Sequence, residues 1–445
     1  MVEGSWRRVR RVVVAGLVVV LAGVGLVVVP AGVAVAADSS STTKPAGGWP
    51  VVSQPGVSGS EIRVSGVAAT TNPVGGLYGS SFDGVQAYFD MVNKAGGLYG
   101  RKLVLVKRHD DQLGQNAREV SAILNEDDVF AVLPVATPAS FSGAKSLVDA
   151  KVPTFGWGIN DDWVGPANFF GSFGALCNGA DCPSIVAPWV THKLGKHKVG
   201  VLAYTVPPSK ACLDGLQSSF KKYGKSAKAK IAYADAALTY GVTDFSADVS
   251  KMVDAGVDLV ATCMDNNGVL ALAKEMRQQG LTAPQYLPNA NDPAFMKTNG
   301  GFFEGSIVLT LLAPLNTKPQ FPALKQYIAG MKALGKPTTE NAQIGWVNAD
   351  NFVTGLKMAG PDFTQQKVVD QLNTLTAYDA GGMLAPLNWT KQHTDKHYPL
   401  TCNAFMQVKS SKLVPVWSKP GKPFLCWTDP AATNSVTKIK PTSRQ

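Results

Sequence analysis

The fold is decided by the stretch Ile62–Phe155, which opens with I-R-V-S-G-V-A-A-T-T-N-P-V-G-G-L-Y-G between Ile62 and Gly79. Its first seven residues alternate apolar and polar side chains, which predicts a strand, and the glycine-rich segment after them predicts a turn. Ser80–Asn93 then carries apolar residues at helical spacing, and a pair of glycines at 96 and 97 favours the end of that helix.

Strands and helices continue to alternate beyond this point. Further strands are predicted at Leu103–Val106, Val129–Leu133 and Thr154–Phe155, with a helix at Asn116–Asn125. Such alternation predicts an α/β fold with a parallel sheet covered by helices on both faces. Ligands of these sheets bind on the loops that follow the carboxyl ends of the strands. We therefore expect the site on loops 71–78, 135–142 and 156–160.

A second alternating set follows, which predicts a second sheet of the same kind. Its strands are expected at Lys198–Ala203, Lys230–Ala234, Leu259–Cys263 and Gln285–Leu287. A later strand is expected at Ser306–Leu311, and two helices are expected at Pro322–Leu334 and Gln343–Ala359. Two late strands are expected at Pro386–Trp389 and Cys402–Val408.

Three short marks between Tyr78 and Asp111 carry a family resemblance: Y-G at Tyr78, G-G-L-Y-G-R-K-L at Gly96–Leu103, and D-D at Asp110. At this spacing the chain resembles the type I periplasmic solute-binding proteins, in the leucine/isoleucine/valine-binding branch of ABC importers. The resemblance implies two Rossmann-like lobes with parallel sheets, joined by a three-stranded hinge. It also implies a monomer that is not an enzyme, needs no cofactor and hands a small-molecule solute to a membrane permease.

The expected organisation follows from this resemblance and from composition. Residues 1–37 are a signal peptide, 38–59 a flexible linker rich in Ser, Thr, Pro and Gly, and 431–445 a polar tail. The first lobe comprises 60–183 plus 313–397, and the second 184–312 plus 398–430. The crossings between lobes are expected near Ser184, Ala313 and Tyr398.

The N-terminus predicts export. Four arginines precede the apolar run Val12–Val29, and Ala34-Val35-Ala36 fits a cleavage site. An uncleaved membrane anchor is the alternative, because about 18 apolar residues nearly span a bilayer. Leu21-Ala22-Gly23 is followed by Val24 where a lipoprotein has its cysteine, so we expect no lipid anchor there. The protein is expected in the cell envelope or secreted.

The cysteine count predicts disulfides, because six cysteines follow the signal segment of an exported chain. Fifteen pairings are formally possible. We favour Cys177–Cys182, Cys212–Cys263 and Cys402–Cys426.

The resemblance implies that hydroxyl and amide groups of the first lobe hold the solute. The matching positions are Tyr78, Thr137, Ser140, Gly158 and Asn160. Thr137 and Ser140 have a second interpretation, in which they only cap a helix that begins near Ala139.

The second lobe departs from the amino-acid-binding pattern. The acidic residue that pairs with an ammonium group falls on Asn289, and a second tyrosine of the pattern falls on Asp265. Leucine-like amino acids are therefore not favoured, although Asp265 could replace the missing carboxylate. Asn266 and Tyr204 complete the expected ligand-binding residues.

Composition and motifs exclude other functions. The net charge of +10 comes with no nucleic-acid-binding motif, so no nucleic-acid partner is expected. The chain carries no G-x-S-x-G, P-loop or H-E-x-x-H motif, and no metal site is expected. The leading hypothesis is solute capture for an ABC importer, and the alternative is a ligand-sensing receptor of the same fold.

Overall fold

Two sheets organise the part of the chain that the computed structural model describes, which is residues 48–172, 179–288, 290–395, 402–427 and 435–444. All of these residues fall within one compact unit, 41–445. No helix among them has the length and apolar character needed to cross a bilayer.

The first sheet has five parallel strands in the order β2-β1-β3-β4-β5. The strands are β1 (Glu61–Ala68), β2 (Lys102–Asp110), β3 (Ala131–Ala136), β4 (Thr154–Gly156) and β5 (Phe169–Gly171). β3 is buried at all six positions, as expected for a central strand covered on both faces.

The second sheet is mixed. Its strands are β6 (Lys198–Tyr204), β7 (Lys230–Leu238), β8 (Leu259–Cys263), β9 (Gln285–Leu287), β10 (Ile307–Thr310), β11 (Cys402–Lys409), β12 (Lys412–Pro415), β13 (Phe424–Cys426) and β14 (Thr442–Arg444). The order is β14-β13-β11-β10-β9-β8-β6-β7, with β12 beside β11. Strands β6 to β10 are parallel, and β11 to β14 pair antiparallel. The predicted α/β fold with two sheets is confirmed.

Twelve α-helices of the described residues cover these sheets. They are α1 (Ser80–Lys94), α2 (Asn116–Glu126), α3 (Ala144–Asp149), α4 (Val186–Lys193), α5 (Pro207–Ala227), α6 (Ser246–Asp254), α7 (Asn266–Gln278), α8 (Pro293–Asn299), α9 (Pro322–Ala333), α10 (Glu340–Ala359), α11 (Gln365–Leu372) and α12 (Trp389–Gln392). α5 begins with two prolines, which lose no hydrogen bond at a helix start.

Helix α10 returns the late part of the chain to the first sheet. It crosses α1 so closely that a Cβ on Gly84 would lie 1.8 Å from the Ala342 carbonyl oxygen. A Cβ on Gly345 would likewise lie 1.8 Å from the carbonyl oxygen of Ser81. Glycine at both positions therefore permits a backbone contact that any side chain would block. α10 shares one apolar core with β1, β3 and β4 of the first sheet.

Three local expectations were wrong. Pro386–Trp389 is not a strand: Leu387 makes a single antiparallel bridge to Tyr378, and Trp389 begins α12. The helix expected near Ala139 begins only at Ala144. The linker is packed from Trp49 onward, because the buried guanidinium of Arg101 donates to the carbonyl oxygens of Pro50 and Ser58 at 2.9 and 2.8 Å.

Some of the predicted domain boundaries fall on residues that the structure describes. Within the expected polar tail, Val436 is buried and β14 pairs with β13. The crossing near Ala313 is described, and there the Ala313 N–H donates to the Met383 carbonyl oxygen at 2.7 Å. Ser184 is also described, and its N–H donates to the Ser219 hydroxyl oxygen at 2.8 Å, whereas Tyr398 lies outside the described residues. The three-stranded hinge stays a prediction.

Two of the three predicted disulfides are confirmed. Cys212–Cys263 joins α5 to β8, and Cys402–Cys426 joins β11 to β13. Cys177 lies outside the described residues, so the Cys177–Cys182 pairing stays a prediction.

A buried ion cluster fixes the end of β2 against α2. The His109 ring contacts Glu119 through Nδ1 at 2.9 Å and Asp127 through Nε2 at 2.7 Å. Burial alone would raise the pKa of Asp127, but hydrogen bonds from Ser65 and His109 outweigh it and the pKa is lowered. The pKa of Glu119 is lowered in the same way, because contacts with His109 and Arg118 outweigh its burial.

We expect His109→Gln to lower the free energy of unfolding by about 2 kcal/mol, because it removes the ring contacts to the buried Asp127 and the partly buried Glu119, although Lys107 and Arg118 remain beside these carboxylates. Urea unfolding measures this change. Since both carboxylates have lowered pKa values, their contribution is present above their ordinary pKa and is lost as the pH falls through the acid range. The control is Lys145→Gln, which removes the exposed ion pair with Asp149 and should cost less than about 1 kcal/mol. Equal losses in the two variants would contradict this interpretation.

Candidate functional site

A cavity of about 820 Å³ lies between the loops of the two sheets. The first-sheet side contributes Gly75, Gly76, Leu77, Tyr78, Pro138, Trp157, Ile159, Pro337, Thr339, Glu340, Asn341 and Ile344. The second-sheet side includes Tyr204, Tyr240, Thr262, Asp265, Asn266, Asn267, Asp292 and Thr310. The volume is within the range of roughly 300–1,000 Å³ that is usual for organic ligands.

The glycine-rich turn after β1 is held by its own asparagine. Asn72 Nδ2 donates to the carbonyl oxygens of Ala69 and Gly76, both at 2.9 Å, and its Oδ1 accepts the Gly76 N–H at 3.0 Å. Gly75 has a φ of +72°, a conformation that glycine adopts without strain. This turn brings Leu77 and Tyr78 to the cavity wall.

Two hydrogen bonds cross the cleft between the sheets. Asn267 Nδ2 at the start of α7 donates to the Val74 carbonyl oxygen in the glycine-rich turn. The hydroxyls of Tyr78 and Tyr240 lie 3.1 Å apart. A Cβ on Gly75 would lie 2.7 Å from Asn267 Nδ2, so a side chain there would push the two sides apart. The structure therefore shows the cleft with its two walls in contact.

Four aromatic rings line the cavity near these contacts. Tyr78 stacks on Trp157 with ring centroids 5.9 Å apart, and Tyr240 meets Tyr204 edge-on at 5.0 Å. The Tyr204 hydroxyl donates to Asp265 Oδ2 at 3.0 Å. Burial raises the pKa of Tyr240 to about 12, so this phenol is neutral near pH 7.

Asp265 is placed by the helix that follows it. It comes directly after β8 and caps α7, with its Oδ1 accepting the N–H groups of Asn267 at 2.8 Å and Gly268 at 3.2 Å. Aspartate is a preferred residue at this position because its side chain satisfies helix N–H groups that lack an internal partner. The same carboxylate is the acceptor for Tyr204, so one side chain joins the helix start to the aromatic wall.

Glu340 lines the cavity from the first-sheet side, close enough to Asp292 for the two charges to interact. It is the first residue of α10 and follows the capping Thr339, whose side chain accepts the Ala342 N–H at 3.1 Å. Its carboxylate receives only long hydrogen bonds, from the Asn291 N–H at 3.3 Å and the Thr310 hydroxyl at 3.4 Å. Burial raises the pKa of Glu340 to about 8, and the charge of Asp292 adds to the effect.

The predicted site residues divide into two groups. Tyr78, Tyr204, Asp265 and Asn266 line the cavity, and Asn289 lies outside the described residues. Thr137, Ser140, Gly158 and Asn160 do not line it.

The first-lobe loops reach the cavity through neighbouring residues instead. Pro138, Trp157 and Ile159 line the wall. Thr137 is 2% exposed and its hydroxyl donates to the Ser140 carbonyl oxygen at 3.1 Å, whereas Ser140 is exposed. The capping interpretation of these two residues is also wrong, because α3 starts several residues later and neither side chain caps it.

Sequence reasoning missed Tyr240, Asp292 and Glu340. Tyr240 follows β7 and meets Tyr78 across 162 positions of sequence. A glutamate after a capping threonine is also what an ordinary helix start contains, so its sequence alone does not mark it as a binding residue.

Several polar atoms in the wall have no protein partner among the described residues. They are Trp157 Nε1, Thr262 Oγ1, Asn266 Oδ1 and Trp427 Nε1. Buried polar atoms usually have partners, so these are available to a bound molecule. No group of three or more His, Cys, Asp or Glu in the described ranges could hold a metal ion.

One branch of the cavity extends along the second sheet beneath α4 and α5. Its walls include the Cys212–Cys263 disulfide and the side chains of Ile185, Leu216, Tyr286, Leu309 and Trp427. This branch is mainly apolar, so the cavity combines a polar, aromatic part with an apolar part.

The titration of Glu340 gives a testable stability effect. Between its ordinary value of 4.5 and about 8, the unfolded chain releases the Glu340 proton while the folded protein retains it. Folding is therefore progressively weakened as the pH rises through this window. We expect the melting temperature of Glu340→Gln to rise relative to that of the parent protein between about pH 4.5 and 8. A difference that stays constant with pH would contradict the burial of this carboxyl.

Comparisons with known proteins agree with this architecture. A profile described as "Periplasmic binding protein" matches residues 61–412. The Leu/Ile/Val-binding protein homolog 3 of Brucella melitensis is 24% identical over 347 residues, which cover 73% of this chain and 89% of that protein.

Solved structures share the fold at low identity. A branched-chain amino acid ABC transporter protein from Thermus thermophilus with bound valine has a TM-score of 0.67 at 16% identity, covering 82% of this chain and 97% of that chain. A fatty acid ABC transporter substrate-binding protein from Thermomonospora curvata has a TM-score of 0.66 at 21% identity, covering 82% and 94%. The family match extends over most of both sheets and the cavity between them. The chain therefore belongs to the periplasmic binding protein family, and it is an extracytoplasmic solute-binding protein.

Proposed function

We propose that the protein captures one small organic solute in the cavity and delivers it to the membrane permease of an ABC importer. The observation that carries this proposal is that both sheets contribute loops to the same cavity. A solute bound there touches both sides of the cleft at once.

The capture step is hinge closure. The two lobes would be residues 60–183 plus 313–397 and residues 184–312 plus 398–430, linked by three crossings. Closure needs a free-energy difference between the open and closed states, and a ligand supplies it by contacting both lobes only when they are closed. The bonds from Asn267 to Val74 and from Tyr78 to Tyr240 are the protein's own contribution to that closed state.

The setting of this function is outside the cytoplasm. Residues 1–37 would direct export and be removed, and the mature protein would act as a monomer. The disulfides Cys212–Cys263 and Cys402–Cys426 support this, because disulfides persist in oxidising compartments.

A thermal-shift panel tests capture. The exported protein is mixed with amino acids, amines, carboxylic acids, polyamines and sugars, and solute released from protein purified from its own cells is identified by mass spectrometry. A ligand at 100 times its dissociation constant should stabilise the fold by about 2.7 kcal/mol. A folded protein that neither carries nor binds any solute would refute the proposal, and capture of a receptor kinase in place of a permease would favour sensing.

Asn267→Ala should weaken binding of the solute found in the panel by about tenfold, because it removes a contact made only in the closed cleft. Isothermal titration calorimetry measures the change. The matched control is Asn125→Ala, which removes an exposed amide from α2 that bonds only within its own helix. Equal affinities in both variants would count against closure through this contact.

A further inference from the structure

The cavity wall carries more acidic than basic residues. Among the described residues that line it, four are acidic and one is basic. The acidic residues are Asp181, Asp265, Asp292 and Glu340, and the basic residue is Lys222. Lys222 is exposed, and its Nζ lies 5.1 Å from the centroid of the Tyr223 ring. Asp181 is also exposed, and Glu340 keeps its proton up to about pH 8, so a solute held deep in this cavity meets the carboxylates of Asp265 and Asp292 rather than cations.

Apart from the Trp157 Nε1–H, which has no partner among the described residues, the first-sheet loops after β3 and β4 offer few donors to an anion. Pro138 has no N–H, and the N–H groups of Trp157 and Ile159 donate to the carbonyl oxygens of Val135 and Trp157 at 2.8 and 2.9 Å. The hydroxyl of Thr137 is used within its own loop. These are the loops that would hold the carboxylate of an amino acid if the chain followed the leucine-binding pattern.

The helix starts of the second-sheet side are also already occupied. The start of α7 attracts negative charge, but its N–H groups at Asn267 and Gly268 are taken by Asp265. Asp292 takes the N–H groups of Ala294 and Phe295 at 2.9 and 3.0 Å. Each of these positions therefore presents a carboxylate to the cavity instead of free donors.

The same region carries what a cation needs. Four aromatic rings line it: Tyr78, Trp157, Tyr204 and Tyr240. Because one pair is stacked and the other is edge-on, the ring faces point in different directions. A cation within about 6 Å of such rings is attracted by their faces. The nearby Thr262 hydroxyl is 1% exposed and has no partner among the described residues, so its oxygen can accept a hydrogen bond from a bound molecule.

We propose that the solute is an organic cation without a carboxylate, with its ammonium-type group among these four rings beside Asp265. This inference rests on the proposed capture function and names its substrate class. The rest of the molecule lies in the apolar branch along Leu216 and Leu309. At about 30 Å³ per water-sized group, ten non-hydrogen atoms fill about 300 Å³. The cavity of about 820 Å³ therefore accommodates a body larger than that of leucine.

Matched trios of probes test the charge requirement by calorimetry on the exported protein. One trio is phenylalanine, 2-phenylethylamine and 3-phenylpropanoate, and the other is leucine, 3-methylbutylamine and 4-methylpentanoate. Within each trio the apolar body is kept while the carboxylate or the amine is removed. We expect each amine to bind at least tenfold more tightly than its amino acid, and the two carboxylates to show no binding.

Asp265→Asn removes the charge while its Oδ1 can still cap α7, and its Nδ2 can donate to the Tyr204 hydroxyl oxygen in place of the bond that Oδ2 accepts. It should weaken amine binding at least tenfold. The matched control is Asp254→Asn at the exposed end of α6, which should stay within twofold of the parent protein. Melting temperatures of both variants show whether they fold.

The outcomes separate this inference from the capture function. If an amino acid binds more tightly than its amine, the inference is wrong and capture stands. If the amines fail and the solute released from the purified protein is neutral or anionic, the inference is wrong and capture again stands. If the amines fail but the released solute is a cation, the inference is supported. If nothing binds and nothing is released, both are wrong.

Discussion

The close crossing of α1 and α10 is the constraint on which the site depends. Gly84 and Gly345 each place a backbone where a Cβ would lie 1.8 Å from a carbonyl oxygen. The crossing packs α10 against the first sheet, although Gly345 follows Gly84 by more than 250 positions. Strands β6 to β10 of the second sheet lie between these two glycines in the sequence. The crossing also sets the start of α10, and with it Thr339 and Glu340, at the cavity wall. A packing requirement remote from the ligand thus decides which carboxyl group faces it.

The second wall depends on capping in a similar way. Asp265 and Asp292 satisfy the first N–H groups of the helices after β8 and β9, which is a local backbone requirement. Because parallel strands end at the same edge of a sheet, these caps also converge on the cleft. Local capping and the electrostatics of the cavity therefore come from the same side chains.

Much of the fold could be predicted from the sequence, because the apolar periodicity of strands such as β1 and β8 is a local property. The residues of the site were predicted less well. In the first-sheet loops the positions that reach the cavity are Pro138 and Ile159, which are next to the predicted Thr137 and Gly158. Matching a motif identifies a loop, but the direction of each side chain depends on the turn. Tyr240 and Glu340 could not be found this way, since their importance arises from contacts across the cleft.

These observations together relate solute charge to closure. Glu340 belongs to the first-sheet side, and the Asn291 N–H that binds its Oε2 at 3.3 Å belongs to the second-sheet side, next to Asp292. In the structure Glu340 is buried near Asp292, and burial together with the charge of Asp292 raises the pKa of Glu340, which favours the form that keeps its proton. A cation can replace that proton, because it offsets the same buried charge and also binds the aromatic wall. An anion can do neither, so closing around it would add to the repulsion. In the proposed function, the buried acidic groups that favour a cationic solute are thus also the groups that such a solute would stabilise when both walls contact it.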